Sequence, residues 1–176
     1  RKSIISFDLD MTLLDHQDYR ITESALEAVE RLREHHRIVI ASGRDMDNYY
    51  SCQFRDELRP DGIIHMNGTK VTAGEERIYD HFMKPELVEA LLNFARENGL
   101  SVGATIDGID YYTSPDTVRE HDRKRWGDMN RRFGDPQMLL ERPVRTLAYI
   151  GGVEGVRLME KKFPGVKFPM FAGKVG

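Results

Sequence analysis

The chain has 176 residues, of which 40% are hydrophobic and 31% charged, with a net charge of −3 at pH 7. This composition is typical of a folded globular protein and excludes a strongly basic surface for nucleic acid. Apolar runs such as residues 38–41 are too short to cross a bilayer, so we expect neither nucleic acid nor a membrane as partner. The single cysteine, Cys52, cannot form an internal disulfide, which favours a reducing, cytoplasmic location.

The first half of the chain alternates strand and helix patterns. Short apolar runs predict buried strands at residues 3–9, 37–42 and 62–66. Periodic apolar positions predict one helix from Thr22 or Ser24 to about His35, and a second that begins after Gly43 and includes Tyr49. This order predicts an open parallel sheet with helices on its faces, a Rossmann-like α/β fold.

The pattern changes in the second half. Turn signals predict hairpins around residues 73–76 and around Asp107-Gly108. Predicted helices at residues 85–98, 116–133 and 153–163 alternate with predicted strands at residues 144–150 and 166–171. These elements indicate an α+β module separate from the parallel sheet. We place the boundary near residue 83, giving domains at residues 1–83 and 84–176.

Two carboxylates end the first predicted strand. Asp8 and Asp10 are two residues apart, so both project from one face of the strand at the edge where α/β proteins bind ligands. There Asp8 can attack phosphorus, and Asp10 can donate a proton to the leaving group and later deprotonate water. We expect Mg²⁺ to offset the negative charge, bound by the Asp8 carboxylate and the Asp10 carbonyl.

This acidic stretch has two simpler interpretations. A calcium loop does not fit, because Leu13 stands where such a loop needs glycine and Tyr19 where it needs glutamate. An ordinary acidic turn after a strand stays open on this stretch alone.

The end of the second predicted strand adds a possible phosphate site. Ser42 offers a hydroxyl, and Gly43 lets the backbone approach an anion just before a predicted helix. Taken alone, Ser42 could simply cap that helix. Beside Asp8 and Asp10, we interpret it as part of a phosphate cradle.

At this point the sequence resembles a known family. The run Phe7-Asp8-Leu9-Asp10-Met11-Thr12 followed by Ser42-Gly43-Arg44 is similar to the first two motifs of the haloacid dehalogenase (HAD) superfamily of phosphohydrolases. A strand ending in Asn67-Gly68, followed by an inserted α+β cap domain, resembles its Cof-type sugar-phosphatase branch.

The resemblance implies a role for each residue of these motifs. Asp8 would be the nucleophile and Asp10 the general acid/base, and both would hold Mg²⁺. The phosphate would be bound by three residues: Ser42 and the amides of Leu9 and Gly43. Three further residues would support the site: Thr12, Arg44 and Asn67. The implied substrate is a small phosphorylated metabolite such as a sugar phosphate, and the implied alternative is a phosphomannomutase-like phosphotransferase.

Parts of the family pattern are missing from this sequence. The family adds a lysine after the cap and then a Gly-Asp-x-x-Asn-Asp motif, which Gly127-Asp128 imitates only in a polar stretch. Lys174 follows the last predicted cap strand too closely to return to the core. We therefore expect the HAD core to be incomplete at its C-terminus, and a non-catalytic phosphate-binding module stays an alternative. The candidates for stacking on a substrate from the cap are Tyr111, Tyr112 and Trp126.

Overall fold

The computed structural model describes residues 2–15, 17–125 and 127–169. The chain forms two compact units, Arg1–Phe82 and Met83–Gly176. Trp126 and Lys174, which the sequence singled out, lie outside the described residues. No helix in the described part of the chain is both long and apolar enough to cross a membrane.

The first unit is an α/β fold. Its strands are β1 (Ser3–Asp8), β2 (Leu14–Asp15), β3 (Arg20–Ile21), β4 (His36–Ala41), β5 (Gly62–His65), β6 (Lys70–Ala73) and β7 (Glu76–Asp80), and its helices are α1 (Glu23–Arg33) and α2 (Cys52–Leu58). One sheet has the order β1-β4-β5-β6-β7. The β1–β4 and β4–β5 pairs are parallel, which confirms the predicted α/β class, and β6 and β7 extend the same sheet as an antiparallel hairpin.

A tight turn and a small hairpin follow β1. The Leu9 carbonyl accepts hydrogen bonds from the amides of Leu13 (3.0 Å) and Leu14 (2.9 Å), which closes one helical turn. Strands β2 and β3 then pair antiparallel. Leu9, Leu13 and Leu14 are all buried, so burial of these leucines fixes the turn that carries Asp10.

Helix α1 begins as one of the two predicted caps requires. The Thr22 hydroxyl, not that of Ser24, accepts a hydrogen bond from the Ala25 amide at 3.3 Å. Val29 is buried on the inner face of α1, in a core cluster shared with Ile38 and Ile40 of β4. The core therefore holds β4, an interior strand of the sheet, which Ser42 follows directly.

The second predicted helix is wrong at its start. It begins at Cys52, so Gly43 and Tyr49 lie in a loop. Side chains in this loop bond the backbone instead: Asp45 accepts from the Asp47 amide (3.2 Å), and Asn48 accepts from the Tyr50 amide (2.9 Å). Such bonds compete with helix formation and delay it until after Ser51.

The second unit is an α+β arrangement. Its strands are β8 (Ser101–Ile106), β9 (Ile109–Tyr112) and β10 (Ala148–Ile150), and its helices are α3 (Pro85–Glu97), α4 (Pro115–Arg125) and α5 (Val153–Lys162). The sheet order is β10-β8-β9, with antiparallel pairs. Asp107 and Gly108 both have positive φ values, 52° and 72°, as a tight two-residue hairpin requires.

Three predictions in this unit need correction. Helix α4 ends at Arg125 instead of continuing to residue 133, and Gly127 has a left-handed φ of 88° that no right-handed helix can include. The predicted strand at residues 144–150 shortens to Ala148–Ile150. Residues 166–169 of the last predicted strand are not in a strand, and residues 170–171 lie outside the described residues.

The two tyrosines proposed to stack on a substrate are both buried in the second unit. Tyr111 is 4% exposed and Tyr112 5% exposed. Burial raises the pKa of Tyr112 to about 12, with the nearby Asp110 adding to the effect. Both side chains belong to the interior of the second unit, so their predicted stacking role is not supported by the structure.

We expect Gly103→Ala to destabilise the second unit. Gly103 lies in the central strand β8, where an added Cβ would meet the Tyr111 carbonyl and would lie 2.6 Å from the Tyr112 Cα. Because backbone atoms cannot move aside easily, the expected loss is about 2–3 kcal/mol in the free energy of unfolding. Urea denaturation would measure it. Gly165→Ala, which meets nothing within 4 Å, is the control, and equal midpoints for the two variants would contradict the prediction.

Candidate active site

The parallel strands bring three loops to one edge of the first unit's sheet. Asp8 at the end of β1 is paired in register with Ala41 of β4, and Ala41 is paired with Ile64 of β5. The residues that follow these positions, Asp8–Asp10, Ser42–Arg44 and Met66–Gly68, therefore leave the sheet side by side. This edge carries the candidate active site.

Asp8 is exposed at the end of β1. Its Oδ1 accepts a hydrogen bond from the Leu9 amide at 2.8 Å. The Leu9 amide, which the resemblance assigned to the phosphate, thus holds the nucleophile candidate instead. Its assignment to a phosphate stays a prediction.

Asp10 is held by a two-pronged ion pair. The Arg44 Nε lies 3.1 and 2.9 Å from the two carboxylate oxygens of Asp10, and Arg44 Nη2 lies 2.6 Å from Oδ1. Bidentate pairing of this kind fixes the orientation of both partners. Arg44, predicted only as a supporting residue, therefore connects the β1 loop to the β4 loop.

Arg44 itself is enclosed by aromatic groups. Its Nη1 donates to the Tyr19 hydroxyl at 2.6 Å, and its guanidinium carbon lies 5.4 Å from the centre of the Tyr19 ring and 5.8 Å from that of Phe54. Hydrogen bonds to Asp10, and secondarily to Tyr19, raise the pKa of Arg44 above its already high usual value against the opposing effect of burial. The guanidinium is therefore a permanent cation at this edge.

Ser42 is buried, and its hydroxyl accepts a hydrogen bond from the Arg44 amide at 3.1 Å. Because no helix begins at this position, the predicted helix N-terminus does not contribute to a phosphate site here. What remains of the predicted cradle is the Ser42 hydroxyl and the Gly43 backbone. Their binding of phosphate stays a prediction.

Asn67 packs against Gly43. A Cβ added at Gly43 would lie 3.2 Å from the Asn67 Oδ1, so the side-chain amide occupies the space that a larger residue would need. The backbones are also bonded: the Asn67 amide donates to the Ser42 carbonyl (3.3 Å) and the Met66 amide to the Arg44 carbonyl (3.1 Å). The third loop thereby supports the second.

The loop after β5 is bent sharply. Met66, Asn67 and Gly68 have consecutive positive φ values of 48°, 57° and 89°. Only asparagine and glycine adopt this region readily, so Met66 is strained. This bend turns the Asn67 side chain back towards Gly43.

Thr12 occupies the tight turn after Asp10. It is exposed, and its amide donates to the Leu9 carbonyl at 3.3 Å. Its predicted role in supporting the site is consistent with its place in the turn but stays a prediction.

A second polar cluster, which sequence reasoning missed, anchors the loop after β4. Lys70, 6% exposed, lies with its Nζ 3.2 Å from the Asp45 Oδ1 and 2.5 Å from the Asp47 Oδ2. Arg55 Nη1 reaches the other oxygen of Asp47 at 2.5 Å. His65, fully buried, accepts a hydrogen bond from the Met46 amide on Nδ1 at 3.1 Å. A single buried lysine in a polar strand gave no signal in the sequence.

Asp45, Asp47 and His65 offer ligand atoms within 4.8 Å of one another and form a group that could hold a metal ion. Two features of the structure oppose this. The Lys70 ammonium already lies between the two carboxylates. His65 accepts the Met46 amide on Nδ1, so that nitrogen has no lone pair left for a metal, and Nε2 carries the proton facing the Thr72 hydroxyl at 3.3 Å.

The cluster shifts the titration of both acids. The Asp47 amide and the Lys70 ammonium hold the pKa of Asp45 well below its usual range, against the opposing effect of partial burial. Burial opposes the same shift at Asp47, but hydrogen bonds from Lys70 and Arg55 still lower its pKa. Lowered pKa values in the folded state mean that the stabilisation is present above about pH 4 and is lost as the pH falls further.

We expect Lys70→Met to lower the free energy of unfolding at pH 7 by about 1–3 kcal/mol. The loss falls below that for a fully buried pair because the two carboxylates are partly exposed. The difference from wild type should begin to shrink below about pH 4, where the two acids take up protons in the unfolded chain, and should vanish only once they are protonated in the folded protein as well.

Urea denaturation at pH 7 and pH 3.5 would measure both effects. Lys161→Met, an exposed site in α5, is the control with the same change of net charge. An equal difference between Lys70→Met and wild type at both pH values would contradict the electrostatic explanation.

The chain resembles several proteins of known structure. It superposes on a hypothetical protein from Geobacillus kaustophilus HTA426 with a TM-score of 0.79 and 22% identity, over 97% of this chain and 66% of that one. BT1666 of Bacteroides thetaiotaomicron, named among phosphatases of the HAD superfamily, gives 0.80 and 18%, over 97% and 63%. The HAD subclass IIB sugar phosphatase BT4131 gives 0.70 and 22%, over 93% and 64%.

At these identities the likeness shows a common fold, and this chain spans 63% to 66% of the lengths of the three structures. No curated protein sequence matches the chain. The model of the haloacid dehalogenase-like hydrolase family, however, matches residues 5–164. The family predicted from the motifs around Asp8 and Ser42 is thereby confirmed, and the chain belongs to the haloacid dehalogenase-like hydrolases.

Proposed function

We propose that this protein hydrolyses small phosphate monoesters through an aspartyl-phosphate on Asp8. One observation carries the proposal. At the carboxyl edge of a parallel sheet, an exposed Asp8 stands two residues before Asp10, and Arg44 fixes the carboxylate of Asp10 by three short contacts. A nucleophile and a fixed proton-transfer group on one loop are what such a reaction needs.

In the first step an Asp8 oxygen attacks phosphorus, and the bond between phosphorus and the ester oxygen breaks. Asp10 gives its proton to the departing alkoxide. In the second step water attacks the phosphorus of the aspartyl-phosphate and passes a proton to Asp10. The bond between phosphorus and Asp8 then breaks, which releases inorganic phosphate and restores the free carboxylate.

The Arg44 pair favours one of these two roles of Asp10. Both Asp10 oxygens accept hydrogen bonds from Arg44, an arrangement that suits the carboxylate, the form that takes a proton from water. Donation of a proton in the first step requires one of these oxygens to carry hydrogen, a form that the positive charge of Arg44 disfavours.

We propose Mg²⁺ as the cofactor. The Asp8 carboxylate and the Asp10 carbonyl supply hard oxygen ligands, and Mg²⁺ commonly binds through one or two carboxylates while keeping several waters. Asp8 is exposed, and its Oδ1 has an amide as donor, which leaves Oδ2 for a cation. When bound, the metal would offset the charge that builds up as carboxylate and phosphate approach.

The substrate class follows from the family and from one structural neighbour. BT4131, which shares the fold, is a sugar phosphatase, and we propose sugar phosphates or similar phosphorylated metabolites as substrates. The second unit would act as the cap that contributes specificity. We further propose that the protein works in the cytoplasm, without nucleic-acid or membrane partners, as its single cysteine and mild net charge suggest.

We expect Asp8→Asn to reduce phosphatase activity by at least about 1000-fold, because an amide is a poor nucleophile at phosphorus. Release of inorganic phosphate from a panel of hexose monophosphates would measure it, and analysis of the sugar products would detect transfer to a hydroxyl instead of water. Asp56→Asn, at an exposed carboxylate in α2, is the control. An Asp8→Asn variant as active as this control would overturn the mechanism.

Removal of divalent metal should stop the reaction. After treatment with EDTA we expect loss of turnover, and addition of Mg²⁺ in excess of the chelator should restore it, whereas Na⁺ at equal ionic strength should not. A rate that persists after chelation would contradict the role given to Mg²⁺ and leave the role of Asp8 intact.

A further inference from the structure

Tyr19 is an aromatic residue in the loop between β2 and β3 that the mechanism above does not use. It has a left-handed φ of 52°, an uncommon conformation for a bulky side chain. Its ring meets Phe54 of α2 edge to face, with centroids 5.6 Å apart, and its hydroxyl lies 2.6 Å from Arg44 Nη1. The backbone strain thus coincides with a polar contact to the residue that holds Asp10.

The guanidinium of Arg44 is a rigid planar fork. Two of its nitrogens, Nε and Nη2, donate to Asp10, and the third, Nη1, donates to Tyr19. Because the fork is planar, a bond at Nη1 restricts rotation of the whole group and therefore the direction of the bonds to Asp10.

The surroundings of Arg44 make this bond important. Its side chain is only 22% exposed, and the rings of Tyr19 and Phe54 lie beside the guanidinium. Nη1 lies on the exposed side of the guanidinium, where the Tyr19 hydroxyl supplies a fixed acceptor in place of a mobile water molecule. Tyr49, in the loop after β4, is 85% exposed and serves as a comparison. Unlike Tyr19, it takes no part in the hydrogen bonds of the Arg44 guanidinium described above.

We propose that Tyr19 is a positioning residue, which orients Asp10 for proton transfer by holding Arg44 through its hydroxyl. The proposal rests on the proposed function of Asp10. Tyr19 thereby joins the β2–β3 hairpin to the proton-transfer step.

The first test is Tyr19→Phe, which removes the hydroxyl and keeps the ring against Phe54 and Arg44. We expect kcat to fall about tenfold with KM for the phosphate ester unchanged, because misdirection of Asp10 slows chemistry and not binding. Tyr49→Phe is the matched control and should leave both constants unchanged. An unchanged kcat in Tyr19→Phe, or a rise in KM alone, would overturn the proposal.

A double-mutant cycle tests whether Tyr19 acts through Arg44. Arg44→Lys removes the planar fork, so adding Tyr19→Phe to it should change kcat by less than about twofold. A further tenfold loss in the double variant would mean that Tyr19 acts by another route, and the proposal would fail. Thermal unfolding of each variant would check that the fold is retained.

A measurement without substrate separates this proposal from the proposed function. In ¹⁵N-edited NMR spectra the Arg44 Nε–H should exchange slowly with water in wild type and Tyr49→Phe, and clearly faster in Tyr19→Phe. Equal exchange rates would overturn the link between Tyr19 and Arg44, whatever the activity. Faster exchange in Tyr19→Phe would support the link even if the wild-type protein hydrolysed no phosphate ester. The absence of hydrolysis would in that case reject only the phosphatase function.

Discussion

The ion pair between Arg44 and Asp10 is the interaction on which the organisation of this edge depends. Asp10 belongs to the turn after β1 and Arg44 to the loop after β4, and a bidentate contact between them sets the distance and angle of two chain segments. The third loop joins the second through hydrogen bonds from the amides of Met66 and Asn67 and through packing of the Asn67 side chain against Gly43. A single guanidinium thus converts two neighbouring strand ends into one site.

This pair in turn depends on a loop with no regular secondary structure. Two buried side chains anchor the loop formed by residues 43–51. The Lys70 ammonium lies between Asp45 and Asp47, and His65 accepts a hydrogen bond from the Met46 amide. Burial of a lysine ammonium without partners is costly. The ion pairs with the two carboxylates offset that cost.

The sequence predicted what depends on local pattern. Apolar runs located the parallel strands, Asp107-Gly108 located a hairpin, and the carboxylates of Asp8 and Asp10 pointed to the sheet edge that carries the candidate site. The predicted start of α2 was wrong because side chains there bond the backbone in place of helical hydrogen bonds. Asp45 and Asn48 make such bonds, and α2 begins several residues later than predicted. The pattern also failed for contacts between residues far apart in the chain. Tyr19 and Arg44 meet only because β2 and β3 fold back, and Lys70 looks like any solvated strand residue until β6 pairs with β5.

The antiparallel addition to an otherwise parallel sheet has a consequence for the order of folding. Strand β6 runs opposite to β5, so its first residue, Lys70, falls at the edge where β4 and β5 end. The loop after β4 therefore cannot acquire its ionic anchor until a segment 25 residues downstream has been made and paired. During synthesis, the segment carrying Asp8 and Ser42 would leave the ribosome before the lysine that gives the neighbouring loop its final shape.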